Sequence, residues 1–353
     1  MTELKNDDIR AAVAADILDE KQASLLIALI EKRQGARSAL PDEDEPFEFF
    51  KGFSEIFVTV GLGLLLAGAL MLAAITGSGV AIFFTGAVFT WISAAYFTLK
   101  RRMSLPSIAL AAGFGMFLAG FCFAMLDGQT SVMSLSITGV VGMVAMLAYF
   151  RVFKLPFAML VFGVFGGMTI LALAGITDDN IFYGNAGTQL FDLRQGSTLA
   201  YGSLLFGILT FCGGMYFDLK DPNRLSRYSA TGFWLHILAA PALVNTIALS
   251  LFNIDGTTGY VLTAIAMLIV ALLALIIDRR SFLTAGIGYI GAILVWAFQT
   301  DGETAYGIVS TLLILGLFIT VLGAQWVQIR AKIMNKLPNF PYKHRLPPYS
   351  ESA

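Results

Sequence analysis

The sequence predicts an all-α fold: a polytopic transmembrane helix bundle of about ten spans, with a small N-terminal cytoplasmic helical hairpin. Three observations predict it. First, 57% of the 353 residues are hydrophobic and only 13% are charged, with a mean hydropathy of +0.76. A soluble domain averages roughly 25% charged and 45–50% apolar residues, so this excess cannot be covered by one water-facing surface. Second, apolar stretches of the ~20 residues needed to cross a bilayer recur along the chain. Third, the loops between them alternate in charge.

Residues 1–35 read as the hairpin. Ile9, Val13 and Ile17 form one apolar stripe at i, i+4 and i+8. Asp19 and Gln22 in "DEKQ" have the spacing of a capping box, and Leu25, Leu26, Leu29 and Ile30 make a second stripe. A hairpin this short cannot bury enough surface to fold alone. Docking on its own loops, pairing with another copy and binding a cytoplasmic protein partner are the alternatives. The opening segment is charged and has no apolar stretch of a cleavable signal, so the first span is expected to direct insertion. Residues 36–52 include the acidic, proline-containing "RSALPDEDEPFE" and read as a linker.

The transmembrane domain, 53–327, divides into spans at 53–75, 79–98, 105–126, 131–150, 156–176, 197–217, 232–252, 258–277, 281–298 and 305–327. Connections such as "TGS" (76–78) and "DGQT" (127–130) are very short. One set of alternate loops holds Lys100, Arg101 and Arg102, then Arg151 and Lys154, then Lys220, Arg224 and Arg227, then Arg279 and Arg280. The opposite loops hold a single cation, Arg194, among Asp127, Asp178, Asp179, Asp192, Asp255, Asp301 and Glu303. Basic loops stay on the cytoplasmic side. An even number of spans with both termini cytoplasmic satisfies the whole pattern. Residues 328–353 form a basic, aromatic, proline-rich cytoplasmic tail. It either continues the positive charge of that side or lies on anionic lipid.

The order of "ILDEKQASLL", an acidic linker, tightly connected spans, "FWLHILAAP" and a closing "RLPP" resembles a family of uncharacterised bacterial multi-span membrane proteins, a domain-of-unknown-function group with a short N-terminal cytoplasmic helical pair. The resemblance implies a bacterial inner-membrane location. It brings no activity and no catalytic residues.

The seventh span, "TGFWLHILAAPALVNTIALSLF" (231–252), holds the candidate intramembrane polar site: His236, Pro241 and Asn245. Proline frees the carbonyl four residues back, here Ile237, beside the histidine. Histidine titrates near physiological pH, and ionisable groups inside membranes are functional candidates. Against this, a span starting near residue 232 puts His236 within about 8 Å of the cytoplasmic edge. Trp234 and Tyr228 there fit an interfacial aromatic belt. Asn245, nine residues on, falls about half a turn out of phase.

Glycines recur at packing spacing: Gly163 and Gly167, the third-span Gly113, Gly115 and Gly120, Gly213 and Gly214, and Gly286, Gly288 and Gly291. Close helix approach explains them, with a glycine-lined path as the alternative. Glu55 at the mouth of the first span reads as interfacial, and the outer loop 177–196 as solvated. Cys122 and Cys212, near opposite faces, are expected as free thiols. The chain has no GxxxxGK[ST], H-E-x-x-H or G-x-S-x-G, so no catalytic residue, cofactor or metal site is assigned. A net charge of −1 excludes a nucleic-acid footprint. The lipid bilayer is the expected partner.

Two function classes follow. Ten spans divide five plus five, a plan compatible with a transporter-like small-molecule permease built from inverted repeats. The alternative is a non-transporting membrane scaffold or sensor acting through the N-terminal cytoplasmic helices. A membrane enzyme would need a polar cluster that His236 alone does not supply.

Overall fold

A computed structural model describes residues 52–126, 131–175, 190–222, 224, 227–297, 304–347 and 349, with isolated positions between 12 and 26. The N-terminal hairpin and acidic linker expected before residue 52 lie outside these residues. The chain divides into compact units at Met1–Pro46 and Phe47–Ala353. The second unit is a helical membrane protein, with no strand among the described residues.

Ten helices occupy the ten predicted stretches: α1 (Phe53–Ala74), α2 (Gly79–Ala94), α3 (Ser104–Met125), α4 (Val132–Phe153), α5 (Ala158–Gly175), α6 (Thr198–Asp218), α7 (Arg227–Phe252), α8 (Thr257–Ile277), α9 (Ser281–Ala297) and α10 (Thr304–Ala324). A shorter helix, α11 (Trp326–Lys336), follows. Helices α1 to α8, with α2 extended to Lys100, are long and apolar enough to cross a membrane. Residues Leu312–Ala324 and Trp326–Lys336, bent by 73°, make a ninth candidate. Helix α9 has 17 residues. It is one residue shorter than α5, the shortest of the helices long enough to cross. Length and composition therefore carry eight or nine of the ten expected spans.

Local chemistry explains the ends. At the acidic face Ser78, Ser131 and Ser197 precede α2, α4 and α6, and each side chain accepts a hydrogen bond from a first-turn backbone N–H. At the basic face the turns pass through left-handed residues that are not glycine: Arg102, Lys154, Arg224 and Asp278. That backbone costs about 1–2 kcal/mol per residue, so these side chains are retained for other reasons. Helix α2 ends in a π-helical turn, Ala95–Lys100.

Glu55, in the first turn of α1, is buried against the start of α3. Helix α3 has no side-chain cap of its own at Met103. Glu55 of α1 replaces it, accepting from Ser104 N and Leu105 N at 3.0 Å each. The carboxylate satisfies orphan amides and faces the positive end of the α3 dipole.

Among the described residues the interior has two apolar cores. One, around Leu110, Phe114, Met146, Tyr149 and Phe165, joins α1 to α5. The other, around Val244, Met267, Ala274, Phe282 and Trp326, joins α7 to α11. Helix α1 has 6% of its apolar window buried, whereas α5 and α7 have 50%. Its Phe57, Leu64, Leu65 and Met71 project outward, as hydrocarbon solvent permits. Helix α7 is the hub, packed against α5, α6, α8 and α9.

Candidate functional site

Helix α7 begins at Arg227, five residues before the predicted span, so His236 lies nine residues inside it. At 1.5 Å per residue this is about 13 Å along the axis. The ring is fully buried. It points not toward headgroups but to Asp218, the last residue of α6. Nε2 of His236 is 2.9 Å from Asp218 Oδ2.

Arg279 completes the cluster from the α8–α9 turn. Its Nε donates to Asp218 Oδ2 at 3.0 Å, and its Nη2 to Oδ1 at 2.5 Å. Nη2 also donates to the Ser229 carbonyl at 3.0 Å, on α7. Asp218 and Arg279 are 7% and 1% exposed. Buried ions persist where they are paired and hydrogen-bonded. Arg279 supplies the bidentate geometry a carboxylate accepts best. Because the carboxylate accepts on both oxygens, His236 carries its hydrogen on Nε2. Phe211 and Phe282 flank the ring at centroid distances of 5.6 and 5.7 Å.

Two glycines make this approach sterically feasible. A Cβ on Gly214 would lie 2.7 Å from His236 Cε1. One on Gly232 would lie 2.1 Å from Asp218 Oδ1. Gly214 and Asp218 are four apart on α6, and Gly232 and His236 are four apart on α7. On antiparallel neighbours each glycine thus faces the other helix's ionisable side chain.

The other two sequence candidates do not join the cluster. Pro241 is exposed on the outer face of α7, which continues through it to Phe252. Asn245 is half-buried, at the opposite angular position from His236. The buried polar residues of α7 are instead Ser229, Thr231, His236, Thr246 and Ser250. Ser229, His236 and Ser250 fall seven and fourteen residues apart, on one face.

Ser250 carries that face to the acidic end. Its Oγ accepts from Leu193 N at 2.9 Å and donates to Thr246 O at 2.6 Å. Beside it Asp192 is buried, accepting from Asn253 Nδ2 at 2.8 Å and from Arg194 N at 3.0 Å. Arg194 donates to the Asn253 carbonyl. A cavity of about 610 Å³ opens here, lined by Arg194, Asn253, Asp255 and Tyr260 among others. The end of the outer loop, read from sequence as solvated, is thus tied to α7.

A second ionic network holds the basic face. Asp278, left-handed at φ 58°, bonds Arg224 at 3.1 Å and Trp326 Nε1 at 2.6 Å. Arg330 donates to the Leu275 carbonyl at 3.0 Å and the Pro347 carbonyl at 2.7 Å. Lys343 donates to the Met334 and Leu337 carbonyls at 2.7 Å each, capping the C-terminus of α11. The tail therefore folds back onto the bundle.

Sequence reading missed Asp218 because the predicted sixth span stopped at Phe217, and missed Arg279 because it counted as a loop charge. The available signal was the paired spacing G-x-x-x-D in "GMYFD" and G-x-x-x-H in "GFWLH". No group of three or more metal-ligating His, Cys, Asp or Glu side chains occurs among the described residues. Cys122 and Cys212 are free thiols. Compared with protein-family models, with curated proteins and with solved structures, this chain matches none.

Proposed function

We propose that this protein is a transporter-like small-molecule permease of a bacterial inner membrane, with both termini cytoplasmic and its path running along α7. One observation carries the reading. Helix α7, with α5 the most enclosed of the bundle, buries polar side chains at both ends: Ser229 and His236 at the ionic cluster, Thr246 and Ser250 beside an open, charged cavity. Membrane helices bury polar groups chiefly toward pathways and functional sites. The sorted loop charges support the orientation. The resemblance to uncharacterised multi-span bacterial proteins supports the location.

A second reading, a scaffold or sensor acting through residues 1–35, is favoured by the basic face. Asp278, Arg224, Arg330 and Lys343 tie the turns and the tail together there, which suits a fixed docking platform.

Side-specific thiol labelling separates the two. In a Cys122→Ser, Cys212→Ser background, single cysteines replace Thr246, Ser250 and Asn245. An impermeant maleimide is applied to intact cells and to inverted vesicles. The permease reading expects Thr246→Cys and Ser250→Cys to react and Asn245→Cys to lag behind. Protection of all three from both sides, in folded protein, gives the scaffold reading priority.

A further inference from the structure

We propose that Asp218, His236 and Arg279 form a proton-binding site, with His236 Nδ1 as the acceptor and the α8–α9 turn as the element that responds. This deepens the permease reading and rests on it for its purpose, since a proton bound there would drive the path along α7.

The geometry sets up a competition for one carboxylate. Asp218 Oδ2 accepts from both the imidazole, at 2.9 Å, and the guanidinium Nε, at 3.0 Å. With His236 neutral the cluster carries one negative and one positive charge and is balanced. Nε2 already holds a hydrogen directed at the carboxylate, so an incoming proton binds Nδ1. No bond other than N–H forms, and the proton comes from water at the basic face. The cluster then carries two cations against one carboxylate, inside a site where charges are weakly screened.

The surroundings offer one further buried acid, Asp221 in the α6–α7 turn, whose N–H donates to the Asp218 carbonyl. Helix α5 contributes no acid or base between Ala158 and Gly175. Helix α6 contributes Asp218, and its ring against His236 is Phe211. Helix α9 contributes Phe282, with Tyr289 two turns further along. The only titratable side chain of α8 itself, Tyr260, lies at the acidic end. The α8–α9 turn contributes Arg279, while its Asp278 is engaged by Arg224 and Trp326. Of the two cations, Arg279 is on the shorter lever. It follows left-handed Asp278 and precedes exposed Arg280, next to solvent. Imidazolium formation therefore weakens the Arg279–Asp218 pair and loosens the turn from α6 and α7. Deprotonation restores the pair.

The chain has two histidines. In a His344→Gln background, ¹⁵N-histidine NMR of the full-length protein in nanodiscs reports His236 alone. The expected result is a reversible imidazole titration within about pH 5–8. Reactivity of a Ser281→Cys reporter at the turn should rise several-fold over the same range. Arg279→Gln, by removing the competing cation, should favour the protonated ring and abolish the pH dependence of the reporter. Asp218→Asn should disfavour the protonated ring. An imidazole that stays neutral throughout, or a titration with an unchanged reporter, overturns the proposal. If these variants do not fold, titration of the His344→Gln protein with the reporter alone decides. The two readings fail separately. Titration with Thr246→Cys and Ser250→Cys both protected leaves a proton site without a path. Labelling without titration leaves a path without this coupling.

Discussion

Gly214 of α6 faces His236 of α7 so closely that a Cβ would lie 2.7 Å from the imidazole Cε1 and 2.8 Å from Nε2. The missing side chain is what allows the histidine to reach Asp218. Alanine at this position should force the ring away and lower stability by about 1–3 kcal/mol, the usual cost of overpacking. Gly232→Ala should behave similarly, because its Cβ would meet Asp218. Gly213→Ala, whose nearest neighbour would be at an ordinary 3.4 Å, serves as control. Thermal unfolding in detergent checks the three. Equal melting temperatures for Gly213→Ala and Gly214→Ala would count against the packing argument.

Removing one partner of the buried ion pair leaves the other charge uncompensated. Asp218→Asn strands Arg279 and should destabilise the bundle by about 3–5 kcal/mol, whereas Arg279→Gln should cost less, because protonated His236 still faces the carboxylate. The double variant should cost less than the sum, because it strands neither charge. A double-mutant cycle by denaturant unfolding in mixed micelles measures the coupling, which should exceed about 1 kcal/mol for residues in direct contact.

Tail docking depends on Arg330. Arg330→Gln loses the hydrogen bonds to the Leu275 and Pro347 carbonyls. We expect trypsin to cleave after Lys343 or Arg345 at least ten-fold faster in this variant, with little change elsewhere. Lys332→Gln, an exposed neighbour on α11, should leave the rate unchanged. Mass spectrometry of a limited-proteolysis time course reads both.

Glu55 holds the start of α3 from another helix. Glu55→Gln keeps the shape but weakens two hydrogen bonds to backbone amides and removes a charge facing the helix dipole. A loss of about 1 kcal/mol is expected. Hydrogen exchange should quicken at the first turn of α3 and stay constant at α5. Unchanged exchange at Ser104 and Leu105 would show that the carboxylate contributes nothing there.

What the sequence determined by itself was the part governed by the solvent. In hydrocarbon a backbone must satisfy its own hydrogen bonds, so long apolar stretches become helices whatever surrounds them. The ten stretches, their short turns and the charge of each face are local properties, and α1 to α10 fall where the hydropathy put them, whereas the polar α11 lies largely in the predicted tail. His236 could be singled out the same way, because an ionisable group in an apolar run is conspicuous. Tertiary structure alone decided what His236 meets. Asp218 and Arg279 are 18 and 43 positions away in sequence, and each stands at a helix end, where hydropathy reads a charge as loop. The half-turn offset of Asn245 from His236 was legible in the sequence, but which face of the helix meets the rest of the bundle depends on the neighbours that pack against it. Only the contact between α6 and α7, allowed by two glycines four residues from two ionisable side chains, turns three separate charges into one site.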